Sequence, residues 1–134
     1  MFDNQISEME LMAEILVRIG CQVTLAYNEY DCYEKIKNKE YGLLIFDHDT
    51  PGLDVSNFVM RIEHVNLLTP VAMMVTLPSK FYEKKYGYSG IDFLIFKPFG
   101  LAQVSRLVED ATEYSWKLRK PFPKENRYQQ GDNP

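Results

Sequence analysis

Leu43-Leu-Ile-Phe-Asp47-His-Asp-Thr-Pro-Gly52 runs from an unbroken apolar tetrapeptide onto a carboxylate and then into a Pro-Gly chain break. An uninterrupted apolar run of this length suits a strand covered on both faces, as in a parallel sheet. The same grammar returns twice downstream. Pro70-Val-Ala-Met-Met-Val75 ends on Thr76, and Phe93-Leu-Ile-Phe96 ends on Lys97, with Pro98 next.

Helical periodicity fills the intervals. Ile6, Met9, Met12, Ala13, Leu16 and Ile19 recur at helical spacing before Gly20, a natural stop. Asn28 caps a second expected helix with Cys32, Tyr33 and Ile36 inward, and Asp54 a third with Val55, Phe58, Ile62 and Val65 inward. Ser79 to Tyr86 is a weaker, tyrosine-rich helix stopped by Gly87 and Gly90, and Leu101, Val104, Val108 and Ala111 share one face of a last helix. Val23-Thr-Leu-Ala26 is a short β-prone run. This alternation predicts an α/β fold with a doubly wound parallel sheet. The expected unit spans residues 1–119, and 120–134 form a polar tail with Pro121, Pro123 and Gly131.

Composition narrows the function. A chain of 134 residues with 46% hydrophobic and 25% charged residues is one ordinary globular domain. A net charge of −4 gives no basic footprint for nucleic acid, and the cluster Lys117, Arg119, Lys120, Lys124 and Arg127 reads as a solvated tail. No apolar run reaches the roughly 20 residues of a membrane span, and no signal peptide opens the chain. Cys21 and Cys32 lack metal-ligand spacing and read as free thiols in a reducing, cytoplasmic setting.

In an open parallel sheet, ligand sites form outside the carboxyl ends of the strands. Asp47, Thr76 and Lys97 are therefore expected to converge in one crevice. A carboxylate there can attack phosphorus if a cation neutralises the incoming charge. Lys97 can supply that charge and Thr76 a hydroxyl donor. Asp3, at the edge of the first helix, could join Asp47 in holding Mg²⁺, which favours oxygen ligands. Taken singly, Asp47 reads more often as a turn or cap residue, Asp3 as a helix N-cap, Thr76 as a backbone-bonded hydroxyl and Lys97 as a solvated charge.

Together these residues resemble the receiver domains of two-component response regulators. Asp47-His-Asp-Thr-Pro51 is similar to the phosphoacceptor motif, Thr76 to the hydroxyl position after strand four, Lys97-Pro98-Phe99 to the Lys-Pro signature, and Phe2-Asp3-Asn4 to the acidic pair closing strand one. The resemblance covers residues 2 to about 116 and implies a flavodoxin-like receiver with strand order 2-1-3-4-5. It implies Asp47 as phosphoacceptor, with Thr76 and Lys97 bonding the phosphoryl oxygens. It also implies Mg²⁺ held by Asp3, Asp47 and the backbone carbonyl of Asp49, and a histidine kinase or phosphotransfer protein as donor. Such a domain is a switch and not an enzyme. The text around Asp3-Asn4 is slightly closer to the receivers of hybrid histidine kinases.

This sequence departs from the pattern at four places. Almost nothing precedes Asp3 where the family has its first strand, so strand 1 is expected to be largely absent, and the chain to be truncated there and prone to homo-oligomerise. Phe2 replaces the first acid of the pair, and Leu77 follows Thr76 where receivers have Ala or Gly. Leu94 stands at the usual switch aromatic, with Phe93 one position early; in a strand that shift puts the ring on the opposite face. A phosphorylation-independent pseudoreceiver that docks partners through Phe81, Tyr82, Tyr86 and Tyr88 is the main alternative. A haloacid-dehalogenase-type phosphatase is the lesser one, since Ile45-Phe-Asp47-His-Asp49 resembles its opening motif but Pro51 stands in the wrong place.

Overall fold

The computed structural model describes residues 4–66, 68–76 and 90–119. In chain order the elements are α1 (Asn4–Arg18), α2 (Glu29–Asn38), β1 (Leu44–Asp47), α3 (Val55–Val65), β2 (Val71–Val75), β3 (Phe93–Phe96) and α4 (Leu101–Arg119). Among the described residues the strands form one parallel sheet in the order β1-β2-β3, with Asp47 level with Met74 and Met74 level with Ile95. With helices on both faces, this is the doubly wound parallel α/β architecture that the sequence predicts.

Alternation along the strands builds two cores. Leu44, Phe46, Val71, Met73 and Val75 face α2 and α3, where they meet Ile36, Phe58, Val59 and Ile62. Ala72, Met74 and Ile95 face α1 and α4, where they meet Met12, Leu16, Val104 and Leu107. Every residue of β2 is fully buried, as a central strand covered on both faces requires. The two caps read from the sequence are made: Asn28 accepts from the Asp31 amide at 2.8 Å and Asp54 from the Asn57 amide at 3.1 Å. Gln103 caps α4 by accepting from the Gly100 amide at 2.8 Å. At the opposite end of the sheet Asp92 accepts from the Val71 amide and from the Tyr114 hydroxyl, tying β2, β3 and α4 together.

One expected strand is not in the sheet. Residues 21–26 carry no assigned structure, so Val23–Ala26 is not the paired edge strand that its composition suggested. Parallel strands pair only when about 4.8 Å apart, and here a cavity of about 260 Å³ separates this segment from β1, lined by Val23, Leu25, Leu43, Ile45, Leu16 and Val108. The Leu44 and His48 amides bond to Pro70 and Met74 carbonyls of the β2 side. By alternation, the Ile45 and Asp47 amides point the other way, towards that cavity. The segment finds other partners: the Leu25 carbonyl accepts from Lys35 at 2.7 Å and the Tyr27 amide donates to Asp31 at 3.0 Å. The expected helix from Ser79 to Tyr86 and the tail 120–134 lie outside the described residues.

Gly90 is demanded twice over. Its φ of +95° lies in the left-handed region, and a Cβ there would sit 2.6 Å from Val59 Cγ1. Gly90→Ala is expected to lower stability by about 3 kcal/mol, from left-handed strain plus overpacking. A urea unfolding series checks this, and an unchanged midpoint would contradict the packing described.

Candidate functional site

Strand ends and pleat bring the site residues together. Asp47 is the last residue of β1, and its side chain alternates with Leu43 and Ile45 onto the α1–α4 face. Thr76 and Lys97 stand two residues beyond Met74 and Ile95, which lie level with Asp47. They therefore point to the same face, one step further out. The Lys97 amide donates to the Val75 carbonyl at 2.8 Å, continuing the ladder past β3, and the Lys97-Pro98 peptide is cis.

The loop after β1 folds back on Asp47. The Asp49 amide donates to Asp47 Oδ1 at 2.8 Å, and the Thr50 hydroxyl donates to the Asp47 carbonyl at 2.8 Å. Such closures are the ordinary turn chemistry of Asp and Thr. Gly52 takes φ +75°, which completes the turn before Asp54 opens α3.

Lys97 is the hub. Its Nζ lies 2.9 Å from both Asp47 Oδ1 and Oδ2, 2.9 Å from Glu8 Oε1 and 3.4 Å from Asp49 Oδ2. The Lys97 side chain is 7% exposed and that of Asp47 1%. Burial by itself would pull the Lys97 ammonium down, but hydrogen bonds to Asp47 and Glu8 outweigh it and hold the group above its ordinary 10.5. Burial pushes the Asp49 carboxyl up, and contacts with His48 and Lys97 outweigh that, keeping it below 3.8.

Of the residues expected here, the structure joins Asp47, Asp49 and Lys97 directly and leaves Thr76 exposed at the end of β2. Asp3 lies outside the described residues. Glu8 was not anticipated, although a signal exists: it shares a stripe with Met12, Ile15 and Ile19, so a carboxylate sits on the buried face of α1. Phe93 and Leu94 fall on opposite faces as the shifted register requires. The Phe93 ring meets Tyr114 at 5.2 Å on the α4 side, whereas Leu94 packs on the α2–α3 core.

Among the described residues no group of three or more His, Cys, Asp or Glu side chains is placed to hold a metal ion. The donor chemistry nevertheless suits a hard divalent cation. Three carboxylates surround one ammonium, so the donors are all oxygen and the local charge is net negative. No described helix is long and apolar enough to cross a membrane.

Comparison with known proteins identifies a family. A family model described as response regulator receiver domain matches residues 1–109. The hybrid signal transduction histidine kinase G of Dictyostelium discoideum is 26% identical over 111 residues, 79% of this chain and 3% of the kinase. The transcriptional regulatory protein CrdR of Helicobacter pylori is 27% identical over 106 residues, 75% of this chain and 50% of the regulator. This chain thus spans half or less of the curated relatives it matches. Among solved structures, the receiver domain of NtrX from Brucella abortus superposes with a TM-score of 0.74 at 22% identity, covering 83% of this chain and 94% of that one. The receiver domain of sensor histidine kinase PA1611 from Pseudomonas aeruginosa, described with a magnesium ion in its active-site cleft, gives 0.70 at 16% identity, covering 81% and 90%.

Lys97→Met would strand the Asp47 carboxylate in a buried site. The expected loss is about 3–5 kcal/mol, and much of it should return in the Asp47→Asn/Lys97→Met double variant. A double-mutant cycle in urea checks this; simple additivity would show that the pair is not coupled. Asp49 titrates below its unfolded value, so its contribution is present above pH 3.8 and is lost as the pH falls beneath it. Asp49→Asn should therefore flatten part of the acid-side fall in the urea midpoint.

Proposed function

Because this chain belongs to the response regulator receiver domain family, we propose that it takes a phosphoryl group onto Asp47 from a histidine kinase or phosphotransfer protein and thereby switches a protein-interaction surface. One observation carries the reading: the buried Asp47 carboxylate has the Lys97 ammonium 2.9 Å from both oxygens. That arrangement supplies a nucleophile and a fixed positive charge where charge develops during transfer. Asp47 Oδ1 also accepts from the Asp49 amide, so Oδ2 is the less encumbered oxygen and the one assigned to attack. The new bond joins Asp47 oxygen to phosphorus, the phosphorus–nitrogen bond of the donor phosphohistidine breaks, and the imidazole keeps the electron pair. Lys97 and the Thr76 hydroxyl then bond the phosphoryl oxygens.

Asp3, Asp47 and the Asp49 carbonyl would hold Mg²⁺, whose charge offsets the carboxylates as the phosphoryl group arrives. The domain acts as an acceptor and not as a turnover enzyme. It works in the cytoplasm, with no part for nucleic acid or membrane, and self-association is open to it through the edge of β1 that no described strand pairs with. Residues 1–119 form the working unit. A pseudoreceiver reading has one observation of its own: both Asp47 oxygens are already satisfied.

Incubation with acetyl phosphate and Mg²⁺, read by intact mass, tests the proposal. One phosphoryl group should add to the wild-type chain and none to Asp47→Asn, and Thr76→Ala should label about ten- to a hundredfold more slowly. A chain carrying an extra apolar strand-length segment ahead of Met1 should label faster, since that segment can pair with the Ile45 and Asp47 amides. Label retained by Asp47→Asn, or no label in either length of chain, would sink the acceptor reading and favour the pseudoreceiver.

A further inference from the structure

Glu8 is a charged group in close contact with Lys97 to which phosphoryl acceptance gives no task. It reaches Lys97 from the opening turns of α1, with Oε1 2.9 Å from Nζ. An ammonium has three N–H donors. In the structure the two Asp47 oxygens and Glu8 take close bonds to it, while Asp49 stands further off at 3.4 Å. Once Asp47 is esterified, the phosphoryl oxygens need those same donors, and Glu8 keeps a claim on one.

We propose that Glu8 is a positioning residue that competes with the phosphoryl group for the Lys97 ammonium and so limits the acyl phosphate held on Asp47. The inference rests on the acceptor reading above. Burial shapes the competition. Lys97 is 7% exposed and cannot follow a partner into solvent, whereas the Glu8 side chain is 32% exposed and can turn out to water. Displacing Glu8 therefore costs a partly solvated ion pair, a modest amount. The phosphoryl group can win the ammonium, but against a graded opposition. A Glu8 carboxylate retained nearby also repels the phosphoryl oxygens, which adds to the same effect.

Glu8→Gln in the full chain separates this from a merely structural role. With acetyl phosphate and Mg²⁺, acetate leaves with the electron pair of the broken phosphorus–oxygen bond. The steady-state fraction of phosphorylated Asp47 should rise about three- to tenfold over wild type. A structural role would lower stability and leave labelling equal or poorer. The second measurement needs no transfer: inorganic phosphate is titrated against the Lys97 side chain and Asp49 amide by NMR. Phosphate should bind Glu8→Gln more tightly by a similar factor. Equal or weaker phosphate binding by the variant overturns the inference, whatever the labelling shows. Tighter phosphate binding with no label in either chain supports the competition for Lys97 and overturns the acceptor reading instead.

Discussion

The ion pair between Lys97 and Asp47 is the constraint to which the rest of the structure answers. The ammonium leaves the end of β3 and the carboxylate the end of β1, so the pair spans the width of β2. It closes only if all three strands hold their register. A slip of one residue in either outer strand would turn a charged side chain onto the α2–α3 core. The fully apolar β2 between them makes such a slip costly, since both of its faces are already packed. Burial then turns the pair from a surface contact into a commitment: with 1% and 7% of their side chains exposed, neither partner has water to fall back on.

That geometry explains which parts were legible in the sequence. Three apolar runs ending on Asp47, Thr76 and Lys97 implied convergence because a parallel sheet leaves no other arrangement for them, and the caps at Asn28 and Asp54 are written in single residues. Val23–Ala26 misled because strand propensity describes a residue's fitness for a sheet, not the presence of a neighbour to pair with. Its partner would have to occupy the cavity beside β1, and no described element does. Glu8 was passed over for a different reason. A glutamate in an amphipathic helix is normally solvated, and only the position of Lys97 after β3 shows why this one sits on the inward stripe.

The two faces of the sheet divide the labour. The α2–α3 face carries an apolar core, with Val59 and Ile62 fully buried and Gly90 pressed against Val59. The α1–α4 face is apolar along the strands and becomes charged at their carboxyl ends, where Asp47, Lys97 and Glu8 meet. Phe93 stacks towards Tyr114 on this second face. The Phe93 ring is thus committed to α4 packing.

The edge of β1 links stability to chemistry at a single residue. Asp47 turns its carboxylate to Lys97 and, by strand alternation, its amide to the cavity between β1 and residues 21–26. The side chain is held by a buried ion pair, while among the described residues no strand pairs with the backbone on that side. A strand laid along this edge would satisfy the Ile45 and Asp47 amides together and fill an apolar space, and both gains fall on the residue that carries the site. The backbone edge and the buried ion pair therefore meet at one residue, Asp47.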